Sequence, residues 1–280
     1  MNHFLKIIKK IRQVPELKWG LAFILVLILI AIFADWIAPY RYSDLFDETL
    51  VGPSSKFWFG TDELGRDIFS LVIQGTRTSL LIGLIAALLS TLIGIIIGAL
   101  SGFYGGLIDR LVSEIINIFM MTPSFFLIIV VVALYGSSLR NIILVIALTS
   151  WTGTARMMRS QVISLKERTF VKALITLGES QFNILFKHII PNGIYPIITD
   201  ATTSISSAIL YESSLSFLGL GDPGKPSWGR IIFMGKKYMT TAWWISLFGG
   251  LFLVFTVYAF HLIAEGMNQM NHTIRGGDMS

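Results

Sequence analysis

Two carboxylates stand in an otherwise uncharged, hydroxyl-rich stretch: Asp200 and Glu212, within residues 193–218. Thr199, Thr202, Thr203, Ser204, Ser206, Ser207, Ser213, Ser214 and Ser216 surround them. Small hydroxyl residues let helices approach closely, and a charge inside a membrane span usually faces a bundle interior or a cavity. The two acids are twelve positions apart, a little over three helical turns, which predicts that they share roughly one face. Two readings follow. The stretch is either a packing helix with a charge near each end, or the lining of a translocation path through Asp200, Ser204, Ser207 and Glu212.

Other strings invite chemistry and carry less of it. Gly219-Leu220-Gly221-Asp222 matches the GxGD string of intramembrane aspartyl proteases. That chemistry needs a second nearby carboxylate to share one proton. The accompanying Tyr-Asp pair is absent, and Asp222 sits at a span's outer end beside Pro223. The sequence has no cysteine, and its four histidines (His3, His188, His261, His272) are scattered, so neither thiolate chemistry nor a histidine metal site is expected. There is no P-loop and no HExxH pair. No catalytic residue, metal or cofactor is therefore expected on this chain. The string Phe59-Gly60-Thr61-Asp62-Glu63-Leu64-Gly65-Arg66-Asp67 is turn-rich and charged, and by itself reads as a solvated loop.

The elements that hold these residues belong to a membrane protein. Hydrophobic residues make up 54% of the 280 and charged ones 14%, where soluble domains carry about 25% charged. Mostly apolar stretches of about 20 residues mark spans. They fall at 19–38, 79–101, 114–140 (interrupted by Pro123), 139–154, 193–218 and 242–264, giving an all-α integral membrane fold of six helices. No small-x-small cleavage site follows the first, which reads as an uncleaved anchor. Lys6, Lys9, Lys10, Arg12 and Lys18 precede it, and Arg156, Arg159, Lys166, Arg168, Lys172 and Lys187 follow the fourth. The positive-inside rule then predicts cytoplasmic N and C termini. The expected division is a cytoplasmic segment 1–18, a first helix 19–38, an extracytoplasmic loop 39–77, a transmembrane core 78–264 with a cytoplasmic loop 156–192, and a cytoplasmic tail 265–280. The net charge of +5 fits cytoplasmic loops, not nucleic acid.

In the cytoplasmic loop, Phe170, Ala173, Leu174 and Leu177 recur at helical spacing, and Gly178 offers a helix stop. Phe182, Leu185, Phe186 and Ile189 share the face of a second short helix, which Pro191-Asn192 ends. Such a helix–glycine–helix hairpin is either a docking knob or an amphipathic hairpin lying on lipid.

These strings together resemble the ABC importer permeases of the dipeptide/oligopeptide/nickel family, second-subunit type. Phe170-Val171-Lys172-Ala173-Leu174 with Gly178 and His188-Ile189-Ile190-Pro191-Asn192 is similar to their EAA loop. The outer string from Phe59 to Asp67 fits as well. So do Gly102-Phe103-Tyr104-Gly105-Gly106 with Asp109, and Glu212 to Gly221 followed by Pro226-Ser227-Trp228-Gly229. Lys172 and Leu174 stand where the family often has Glu and Ala, so no acidic contact is expected there.

The resemblance implies a type I importer fold that moves peptides, nickel or metal chelates across the bacterial cytoplasmic membrane. It implies a second homologous permease, two ABC ATPases that bind ATP–Mg, an extracytoplasmic substrate-binding protein, and surrounding lipid. The coupling residues would be Phe170, Lys172, Ala173, Leu174, Gly178, His188, Pro191 and Asn192. Gly60, Thr61, Asp62, Gly65, Arg66 and Asp67 would brace the outer face, meet the binding protein, or form a structural turn. Arg156 and Arg159 would anchor to lipid or assist docking. A secondary transporter working without an ATPase is the alternative, and it suits broken helices and midplane charges.

Overall fold

The computed structural model describes residues 14–277, with side chains as far as Met270. Lys6, Lys9, Lys10, Arg12 and His272 lie outside the residues or side chains described. Among the described residues the secondary structure is helical, apart from one isolated bridge between Thr61 and Asp67.

Helix α1 is Pro15–Ile32, with Pro15 in its first turn, where a missing N–H costs nothing. A single further turn, Ala34–Ile37, carries it into the outer loop. Its apolar side chains are largely exposed, as lipid-facing residues must be: Trp19, Leu25, Val26 and Ile32. Helix α2, Ile68–Tyr104, has 37 residues and is about 55 Å long, more than a bilayer core requires. Asp67 caps its start by accepting from the Ser70 N–H at 2.8 Å, and Gly105 ends it with φ of 67°.

Helix α3 (Gly106–Met121) and helix α4 (Ser124–Tyr135) meet at an 83° bend. Pro123 sits at the break, where it donates no N–H and forces Thr122 into an extended conformation, φ −97° and ψ 128°. The stretch 114–140 is therefore a sharply broken element, not one interrupted rod. Helix α5, Leu139–Lys166, runs without a break well past 154, so Arg156 and Arg159 stand on a helix and not in a loop. Helix α6 is Thr169–Thr176. Segment 181–193, labelled α7, contains a π-helical stretch at Ile184–Ile189. Pro191 has no N–H to give, so the wider π spacing falls where a regular bond is lost. Helices α8 (Tyr195–Phe217), α9 (Trp228–Lys236) and α10 (Trp244–Gly277) complete the chain.

Three helices are by themselves long and apolar enough to cross a membrane: α1, α2 and α10 within 244–270. The bent α3–α4 pair would make a fourth. Helices α5 and α8 have the length, 28 and 23 residues, but are less apolar on average than α1, α2 and α10.

The tightest helix pair is α2 against α5, and its cause is legible in one stripe. Gly94, Gly98 and Gly102 recur every fourth residue. A Cβ on Gly98 would lie 2.2 Å from the Ala155 carbonyl oxygen, and on Gly102 2.8 Å from that of Arg159. The backbones touch because no side chain intervenes. In a bilayer, where apolar burial drives little, such contact is what holds helices together. At the end of the stripe nearest α6, Arg159 makes a two-pronged ion pair with Asp109 of α3, at 2.5 and 2.7 Å, and Ser101 donates to the same carboxylate at 2.6 Å. This Arg–carboxylate fork bolts α3 to α5 and to the end of α2.

Candidate functional site

The outer string folds into a closed knot. Asp62 is 1% exposed, and its Oδ1 accepts from the Leu64 and Arg66 N–H groups, both at 2.9 Å. Its Oδ2 pairs with the Arg66 guanidinium at 2.6 Å. The Thr61 hydroxyl accepts from the Val51 N–H at 2.9 Å, and the Thr61 carbonyl accepts from the Trp244 indole at 3.2 Å. Gly65 has φ of 74°, and a Cβ there would lie 1.8 Å from the Phe46 carbonyl oxygen. Gly60 is left-handed too, at 77°. Asp67 caps α2, and its burial pushes the carboxyl up while the bonds from Ser70 pull it down. All six residues proposed at the outer face are thus engaged within the chain. Tyr40, Phe46 and Phe57 pack edge to face beneath them.

The two carboxylates of α8 part company. Glu212 is 1% exposed and sits among serines. Ser216 and Ser227 donate to its Oε1 at 2.7 Å each, and Ser213 donates to Oε2 at 3.4 Å. Ser227 also caps α9. Glu212 is therefore a clasp between α8 and α9. Asp200 is half-buried and accepts from the Thr154 hydroxyl of α5 at 2.7 Å. Twelve residues advance an α-helix by three turns and about a third more, so the two acids do not share a face.

The face that Asp200 starts does lead to a cavity. Ser204, Ser207, Ala208 and Tyr211 of α8 line a space of about 190 Å³ together with Ala86, Ala87 and Ser90 of α2, Ser124 of α4, and Ile146, Thr149, Ser150 and Thr152 of α5. The lining is hydroxyl-rich and uncharged. Of the four residues expected in the path, Ser204 and Ser207 border this space, Asp200 lies one turn beyond it, and Glu212 lies apart. Ser90, Thr149, Ser150, Thr152 and Tyr211 were not singled out from sequence. The run Thr149-Ser150-Trp151-Thr152, inside an apolar stretch, is the signal that would have found three of them.

Asp222 is engaged as a cap. Its two oxygens accept from the Leu139 and Gly224 N–H groups at 2.8 Å each, capping α5 and a turn.

The hairpin has a defined turn and an unpartnered surface. Gly178 is left-handed, φ 77°; its N–H reaches the Ile175 carbonyl at 3.0 Å, and the Glu179 N–H reaches that of Leu174 at 3.1 Å. This paired closure is a Schellman ending, which a glycine admits without strain. Ser180 then caps α7 through the Asn183 N–H at 3.3 Å. Val171, Leu185 and Ile189 are buried against Met158 and Val162 of α5, and Leu174 packs partly on them. Phe170, Ala173, Leu177 (81% exposed) and the stacked Phe182–Phe186 pair face outward. The helical pattern thus divides: Leu174, Leu185 and Ile189 serve the fold, and Phe170, Ala173 and Leu177 are free. Lys172 pairs with Glu167 at 3.2 Å on the surface. Asn192 donates to the His188 carbonyl at 2.7 Å, closing the π segment beside Pro191.

Residues 90–272 match the family described as binding-protein-dependent transport system inner membrane component. Residues 18–53 match the N-terminal TM domain of oligopeptide transport permease C. The glutathione transport system permease protein GsiD of Shigella flexneri serotype 5b (strain 8401) is 42% identical over 248 residues, which cover 88% of this chain and 82% of that protein. GsiD of Escherichia coli O6:K15:H31 (strain 536 / UPEC) is 39% identical over the same shares. A chain of the MetNI methionine ABC transporter, in an inward-facing conformation, superposes with a TM-score of 0.57 at 20% identity, covering 72% of this chain and 95% of that one. At that identity the likeness is one of fold.

Proposed function

Since this chain belongs to the family of binding-protein-dependent inner membrane components, as an ABC importer permease of the peptide/nickel group, we propose that it forms one half of a path for short peptides or peptide-like solutes. It is a multi-pass protein of the cytoplasmic membrane, and its family works with ATPases and an extracytoplasmic binding protein. The finer assembly is our reading. A second, homologous permease supplies the other wall of the path. Two ATPases hold ATP–Mg and do the hydrolysis. Six helices cross the bilayer, α5 and α8 among them, with both termini inside. Peptide-sized cargo is favoured over nickel because the named relatives carry glutathione and the cavity has hydroxyls in place of metal ligands.

The observation that carries this reading is the hairpin. A Schellman-closed turn presents Phe170, Ala173 and Leu177 to solvent, while the reverse side is buried against α5. An apolar knob fixed to a path-lining helix can transmit a push. Closure of an ATPase around it would tilt α5, and α5 borders the cavity through Thr149, Ser150 and Thr152. The test is co-expression with the neighbouring permease, ATPases and binding protein, followed by reconstitution in vesicles. Binding-protein-stimulated ATP hydrolysis with solute uptake is expected. Uptake by this chain alone, without an ATPase, would favour the secondary-transporter reading.

A further inference from the structure

Asp200 is an uncompensated carboxylate. Its one hydrogen-bond partner is neutral, the Thr154 hydroxyl at 2.7 Å. Among the described residues, no Lys, Arg or His pairs with it, although Asp109, Asp62, Asp35, Glu48 and Glu167 each have such a partner. Along α8, positions 200, 204, 207 and 211 step by four, three and four, which holds one stripe of a helix. Ser204, Ser207 and Tyr211 border the cavity, so the stripe that lines it begins at Asp200, on the side of the hairpin. A second feature points to a visitor. The Ser150 hydroxyl, on the cavity wall contributed by α5, is buried and has no partner. A buried hydroxyl left unpaired is costly, and a turn of the side chain into the cavity would let a polar solute satisfy it.

Resting on the path reading above, we infer that Asp200 is a specificity residue that makes this cavity favour solutes bearing an ammonium or guanidinium group over neutral or anionic ones. The physics is direct. A fixed charge at the edge of a low-dielectric, otherwise uncharged cavity sets its potential, and no other charge in the lining offsets it. The hydroxyls bind any peptide backbone by hydrogen bonds; the carboxylate adds the discrimination by charge.

The sequence has no cysteine, so an introduced thiol is the only one in this chain, and the transporter without it gives the background to subtract. Ser207→Cys is made in the full transporter in membranes, with Asp200 or with Asp200→Asn. Its rates of reaction with a cationic trimethylammonium-ethyl and an anionic sulfonato-ethyl methanethiosulfonate are measured with and without ATP. Each rate is divided by that of a free thiol with the same reagent. The cation-to-anion ratio is expected to fall on the order of tenfold in Asp200→Asn. Asparagine keeps an oxygen for Thr154, so the local geometry survives the change. If both reagents react but the ratio moves by less than about twofold, the carboxylate sets no selectivity; the inference fails and the path reading stands. If neither reagent reacts in either state, the cavity is closed to solutes, and the path reading falls with the inference.

Discussion

Two of the strings that resemble the family, the outer knot at 59–67 and the inner hairpin at 169–192, spend their residues in opposite ways. The knot uses its polar groups internally: Asp62, Thr61, Arg66 and Asp67 all bond within the chain, and two left-handed glycines press against neighbouring carbonyls. The hairpin closes its glycine turn with backbone bonds, adds a side-chain cap at Ser180, and leaves an apolar face free. Residues engaged within their own fold and residues left exposed thus look alike in sequence and differ in three dimensions. The teaching is about glycine as much as charge. Gly65 and Gly178 share a left-handed φ, but a Cβ would strike the Phe46 carbonyl oxygen at the first and meet nothing within 4 Å at the second.

That contrast can be broken by substitution. Gly65→Ala should have the largest effect, above about 4 kcal/mol, because strain and a clash with fixed backbone add. Thermal unfolding of the purified chain in detergent would read it, and a stable Gly65→Ala protein would undo the knot as described. Asp62→Ala should cost about 3 kcal/mol, since Arg66 and two N–H groups lose their partner together. Glu212→Ala should cost about 2 kcal/mol by orphaning the serine hydroxyls, with uptake per assembled complex preserved. A loss of uptake without a loss of stability would return Glu212 to the path. Gly178→Ala should cost about 1 kcal/mol, strain without collision. Leu177→Glu should change stability by less than about 0.5 kcal/mol while lowering binding-protein-stimulated ATP hydrolysis by roughly tenfold.

The helical class and the hairpin with its glycine stop were legible because hydropathy, loop charge and turn residues report local preference. What was not legible depends on rotation and on partners. The twelve-residue spacing of Asp200 and Glu212 reads as one face only if a third of a turn is neglected; the structure sends one acid to Thr154 and the other to Ser216 and Ser227. Pro123 marked an interruption, but its 83° consequence depends on how α4 packs. Arg159 read equally as a lipid anchor or a docking aid because its partner, Asp109, is fifty residues away. The hairpin's apolar positions looked equivalent until tertiary contact buried Leu174, Leu185 and Ile189 and left Leu177 out.

The free face of the hairpin is expected to receive an ATPase. Leu177→Cys, the only thiol in the chain, can be labelled with benzophenone maleimide in the assembled transporter and irradiated in native membranes. The account predicts a covalent adduct with the ATPase subunit, and none from the same label at Leu64→Cys in the outer knot. Adducts at Leu177→Cys with lipid alone, in a complex that still hydrolyses ATP, would contradict it.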